Sequence, residues 1–147
     1  MDTKNIMIVG VGGQGTLLAS KMLGYVLLQQ GYDVKVSEVH GMSQRGGSVV
    51  TYVRYGKKVY SPVIDKGEAD VIIGARSALF APTERLGLIV IDEEHDGAYK
   101  SDTSPKYHAR ETAIYRAKLC GASVVLGSAT PSVEAYAHAL NGEYQLW

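Results

Sequence analysis

Asn5-Ile6-Met7-Ile8-Val9-Gly10-Val11-Gly12-Gly13-Gln14-Gly15 is the stretch that decides the fold. It is an apolar run ending in glycines, the pattern of a buried strand entering a tight turn. Leu17, Leu18, Met22, Val26 and Leu27 then recur at helical spacing, and Gly31 is a natural stop. Strand, glycine turn and helix in that order make the G-x-G-x-x-G of residues 10–15 meaningful. Glycines let the backbone approach a phosphate, and a helix N-terminus offers unpaired N–H groups to it. Gly10, Gly12, Gly13 and Gly15 are therefore phosphate or nucleotide candidates. Glu38, at the end of the next expected strand, stands where a ribose-binding acid is expected. Without a ligand the same turn is simply a tight strand-to-helix connection. Residues 10–16 also have Walker-type spacing but lack its Lys.

Outward from that unit the pattern repeats. Residues 33–38 and 48–55 read as strands, separated by the polar, glycine-rich stretch 40–47, in which His40 and Arg45 could hold an anion. Val59-Tyr60 reads as a short returning strand, limited by Pro62. Residues 70–74, 87–91 and 123–127 read as buried strands, and 107–119 as a helix stopped at Gly121. Residues 77–80 read as one helical turn. Ser132 caps a helix running to about Leu140, and residues 144–147 could form a last strand. Alternating β and α elements predict an α/β fold: a single three-layer, doubly wound, mostly parallel sheet, Rossmann-like or P-loop-like.

The composition fits one soluble globular domain over residues 1–147. Apolar residues make up 46% and charged residues 20%, with zero net charge. That neutrality argues against nucleic-acid or membrane binding. The one cysteine, Cys120, excludes an internal disulfide and reads as a small buried residue near a helix end. No apolar run approaches a membrane span and no signal peptide is evident, so a cytoplasmic location is expected.

Two resemblances divide the chain. Gly12-Gly13-Gln14-Gly15, then residues 37–49 (Ser-Glu-Val-His-Gly-Met-Ser-Gln-Arg-Gly-Gly-Ser-Val), then Gly67-Glu68-Ala69-Asp70 resemble the gamma-type domain of 2-oxoacid:ferredoxin oxidoreductases of the indolepyruvate or pyruvate variety, over residues 3–73. That resemblance implies a Rossmann-like partner domain of a thiamine-diphosphate and iron–sulfur enzyme, itself carrying neither. Residues 74–82, Asp92-Glu93-Glu94-His95, residues 105–110 and Leu126-Gly127-Ser128-Ala129-Thr130-Pro131-Ser132 resemble the motor domain of primosomal replication-restart DNA helicases, over residues 70–147. By that resemblance Asp92 and Glu93 would hold Mg²⁺ and orient water, forming a Walker-B-type box. Ser128 and Thr130 would couple hydrolysis to movement. Arg76, Tyr99, Tyr107, His108 and Arg110 would lie in DNA-facing or coupling segments.

Neither resemblance is complete. The helicase-like part has no phosphate-cradling Lys upstream, and both stretches are fragments of their families. The expectation is an engineered or recombined chimera of an oxidoreductase half (1–73) and a helicase half (74–147), joined within one shared strand. Its role would be structural, and it would not be an enzyme. It would have no cofactor beyond weak Mg-nucleotide binding at residues 10–15 and Asp92, and no specific partner beyond a homodimer through a sheet edge.

Overall fold

The computed structural model describes residues 2–11, 14–40, 48–65 and 67–147. Their contacts gather into two compact units, Met1–Glu84 and Arg85–Trp147. Both are mixed α/β.

The first unit runs β1 (Lys4–Val11), α1 (Gln14–Gln29), β2 (Asp33–His40), β3 (Ser48–Gly56), β4 (Val71–Gly74) and a 3-10 turn, Arg76–Phe80. The sheet order is β2-β3-β1-β4. β3 pairs antiparallel with both β1 and β2, and β4 pairs parallel with β1. The mostly parallel sheet expected from the sequence is therefore corrected here. The stretch joining β2 to β3 is too short for the crossover that parallel strands need, so the pair closes as a hairpin-like antiparallel ladder. β4 returns from a longer connection and can run parallel.

α1 lies over the face that carries Val34 and Val36. A Cβ placed on Gly24 would come within 3.7 Å of Val36 and 3.9 Å of Val34, so the helix approaches closely at that glycine. The chain after β3 covers the opposite face, contributing buried Val59 and Ile64 beside Met7. Side chains pin this cover in place. Asp33 Oδ2 accepts from the Val59 amide at 2.8 Å, and the Ser37 hydroxyl donates to the Pro62 carbonyl at 3.2 Å. Arg54 donates to the Val63 carbonyl. Val59-Tyr60 forms no strand. Asn5 and Asp70 lock the entry to β4: the Asn5 amide donates to Asp70 Oδ2 and the Asp70 amide to the Asn5 carbonyl, each at 2.8 Å.

The second unit contains β5 (Leu88–Ile91), a 3-10 turn (Gly97–Tyr99), α2 (Ala109–Cys120), β6 (Ser123–Leu126) and α3 (Val133–Leu140). β5 and β6 pair in parallel with α2 as the crossover. Ala109, Ala113 and Ala117 are buried along one side of α2, where small side chains permit close packing. Gly121 ends the helix in the left-handed conformation, φ 67°, as its sequence position predicts. The Ser132 hydroxyl accepts from the Ala135 amide and caps α3. Residues 144–147 form no strand, and Cys120 is exposed, not buried.

The strands expected to be buried on both faces are not. Val71 and Ile73 of β4, and Leu88, Val90 and Val125 of β5 and β6, are about half exposed or more. Alternation explains it: within its unit, β5–β6 meets α2 through one face, which leaves every second side chain outward.

Candidate functional site

In the first unit the C-terminal end of β1 and Glu38 share one edge. β1 and β2 both run antiparallel to β3, so they run in the same direction and their C-terminal ends coincide. β3 stands between them, which separates Glu38 from β1 by two strand spacings, roughly 10 Å. Glu38 lies opposite Thr51, whose hydroxyl donates to Glu38 Oε1 at 3.4 Å from a fully buried position. At Gly10 a Cβ would run into the Thr16 methyl, so the backbone passes tightly under the first turn of α1. Gly15 has open space around it. Gly12, Gly13, Arg45 and the side chain of His40 lie outside the described residues.

In the second unit Asp92 and Glu93 follow β5 while Ser128 and Thr130 follow β6, so parallel pairing brings all four to one edge. The His95 ring Nδ1 shares a 2.7 Å hydrogen bond with the Ser128 hydroxyl, which also accepts from the Thr130 amide at 3.1 Å. Glu93 Oε2 lies 3.5 Å from the same ring nitrogen. Asp92 Oδ1 accepts from the Glu93 amide at 3.0 Å, and the Tyr99 hydroxyl donates to the Asp92 carbonyl at 2.6 Å. Burial raises the Tyr99 pKa above its usual value, and the nearby Asp92, Asp96 and Glu93 charges add to this.

Glu93 holds a left-handed backbone, φ 50°. The chain turns there, and Glu94 points inward. This residue was missed in the sequence. Glu94 is almost fully buried, with Arg110 Nη1 at 2.7 Å from Oε2, the Ser132 amide at 2.6 Å from Oε1 and the Ser132 hydroxyl at 3.0 Å from Oε2. Arg110 Nη1 also donates to the Ser132 hydroxyl at 2.6 Å. Burial works against the Glu94 charge. The Ser132 amide, the Arg110 guanidinium and the Ser132 hydroxyl outweigh it and hold the carboxyl below its ordinary value. Arg110, expected in a DNA-facing or coupling segment, is thus a buried brace joining β5, α2 and α3. A buried Glu within an exposed acidic quartet has one readable signal, the paired Arg and Ser further along the chain.

His108 precedes α2 without capping it through its side chain. Arg76 belongs to the first unit, and the other helicase-like site residues belong to the second. Among the described residues, no three His, Cys, Asp or Glu are arranged to hold a metal ion.

The family model for pyruvate ferredoxin/flavodoxin oxidoreductase matches residues 5–137. The chain belongs to this family. The match runs through the expected splice at residue 73 and continues almost to the end of the chain. The expectation of an engineered hybrid with a purely structural role and no enzyme class is therefore corrected: the chain is a member of an oxidoreductase family along most of its length. The labels of helicase fragment and Walker-B box given to residues 74–147 are corrected on the same ground, while the resemblance of that part to replication-restart helicases is borne out.

Among relatives, the chain is 52% identical over 89 residues to indolepyruvate oxidoreductase subunit IorB of Thermococcus kodakarensis, covering 60% of this chain and 42% of that protein. It is also 58% identical over 82 residues to replication restart protein PriA of Chlamydia pneumoniae, covering 55% of this chain and 11% of that one. The chain thus spans less than half the length of either relative. The two matched stretches are together longer than the chain, so they overlap. Pyruvate oxidoreductase subunit PORC of Thermotoga maritima shares the fold, with a TM-score of 0.50 at 17% identity, covering 96% of this chain and 67% of that one.

Proposed function

We propose that the chain is part of the small, gamma-type subunit of a 2-oxoacid:ferredoxin oxidoreductase. The match of the family model over residues 5–137 carries this reading, supported by the 52% identity to an indolepyruvate oxidoreductase subunit. In this reading the chain is a cytoplasmic partner domain with a Rossmann-like, three-layer architecture. It holds neither thiamine diphosphate nor iron–sulfur clusters of its own, and the redox chemistry occurs on companion chains. No helix of the described residues is long and apolar enough to cross a membrane, in keeping with such a subunit.

The residues proposed to serve it are Gly10, Gly15 and Glu38, with the neighbouring Gly12 and Gly13. In sequence the G-x-G-x-x-G motif links the end of β1 to the start of α1, and Glu38 stands at the same sheet edge as the end of β1. That pairing suits a phosphate-bearing group with a hydroxyl-rich portion. Asp92 and Glu93, at their own strand end, are not needed for it.

The test is reconstitution. The chain is co-expressed with the thiamine- and cluster-bearing subunit of an indolepyruvate oxidoreductase. Co-purification, with indolepyruvate-dependent reduction of a viologen dye above that of the large subunit alone, is the expected result. A chain that neither co-purifies nor raises activity would refute the assignment. Gly10→Val is expected to lose the stimulation, since a side chain there meets Thr16 at the turn.

A further inference from the structure

α1 is apolar on both sides. Ser20 and Gly24 are buried toward the sheet, flanked by half-buried Leu17, Leu23 and Leu27. On the opposite line Leu18 is 60% exposed, Met22 63% and Tyr25 65%, with Val26 at 54% and Leu28 at 57% on either flank. A helix at the surface of a single chain normally turns charged residues outward, and one apolar all round is normally enclosed. Here the outer side of a 16-residue helix carries one charged residue, Lys21, and neither its first nor its last turn holds a charge suited to the dipole.

We propose that this stripe is an interface with a second copy of the same chain, α1 packing antiparallel against α1 about a two-fold axis near Met22. Leu18, Met22 and Tyr25 are spaced four and three apart, the spacing of a helix–helix seam. Met22 falls at the middle of the helix, so a two-fold axis there lays Leu18 of one copy beside Tyr25 of the other. The stripe is self-complementary in charge because it has almost none, and the chain's zero net charge removes long-range repulsion between copies. The area lies near the lower bound for a stable pair. Five side chains exposed to this degree leave roughly 500 Å² of apolar surface, the upper end for a free-standing chain. Two such patches together approach the roughly 1,200 Å² at which stable interfaces begin. This surface is distinct from the β2 sheet edge, and the inference does not depend on the oxidoreductase assignment.

The test uses light scattering on the full chain by itself, over a range of concentrations. The native chain is expected at twice its 15.8 kDa mass. Met22→Glu is expected to halve that mass with unchanged far-ultraviolet circular dichroism, since residue 22 points away from its own sheet. Separately, Met22→Cys in a Cys120→Ser background is expected to form a disulfide-linked dimer under mild oxidation. Val133→Cys, exposed on α3, should not. Three results overturn the proposal: a native chain monomeric at every concentration, a dimer that survives Met22→Glu and so uses another surface, or cross-linking no faster at Met22→Cys than at Val133→Cys. A monomer that unfolds on Met22→Glu would show the stripe covered within the chain, which overturns it equally.

Discussion

At the scale of single residues, Glu94 and Arg110 dominate the second unit. Each is buried, and each satisfies the other and Ser132. Removing one partner strands a charge away from water, which costs about 3–5 kcal/mol, whereas replacing both with apolar groups of similar size can be nearly neutral. Arg110→Met is therefore expected to destabilise the protein by that amount in urea unfolding, and Glu94→Leu with Arg110→Met to recover most of it. Equal loss in the single and double variants would show that packing, not charge, is at stake. The acid dependence has a definite sign. The folded Glu94 carboxyl titrates below its ordinary 4.5, so its contribution is complete above about that pH and fades as pH falls through the lower folded value. Urea midpoints measured from neutral to acid pH should fall below pH 4.5, and this component of the fall should vanish in the double variant.

At the scale of elements, what the sequence made readable was local. The apolar run 5–9, the glycine turn and the helical spacing after it gave β1 and α1; Gly121 and Ser132 gave the end of α2 and the start of α3. What escaped was pairing. Nothing in residues 33–38 and 48–55 says that β3 lies between β1 and β2, because strand neighbours are chosen by connection length and by which faces need cover, and both are non-local. The same holds at the second strand end, where Asp92 and Glu93 were legible as exposed acids but the inward turn of Glu94 depends on Arg110 and Ser132 far along the chain. Gly74 tests the one parallel pairing in the first unit. A Cβ there would press on the Val9 carbonyl oxygen and come within 2.9 Å of the Ala78 side chain. Because backbone cannot rotate aside, Gly74→Ala is expected to cost about 1–3 kcal/mol through overpacking. Gly10→Ala meets only a threonine methyl that can turn, and should cost less. A chemical-denaturation midpoint for Gly74→Ala at or above that of Gly10→Ala would refute the close β1–β4 approach.

At the scale of the whole molecule, the question is how far a local loss travels. Contacts concentrate within Met1–Glu84 and within Arg85–Trp147, while the family match spans both. The sequence alone led to an expectation of one domain over residues 1–147 with its halves joined within one shared strand, in which any core defect would loosen every strand. Native-state hydrogen exchange separates the two cases, because amides that open together share one free energy of opening. Arg110→Met lies wholly within the second unit, and its partners Glu94 and Ser132 lie there too. The expected outcome is faster exchange for the amides of β5, α2, β6 and α3, with β1 and β3 unchanged. Gly74→Ala should do the reverse, loosening β1 and β4 and sparing α2. If either variant instead accelerated exchange across both sheets to the same free energy, the chain would behave as a single cooperative domain. The family-wide match would then reflect one folding unit, not two adjoining ones.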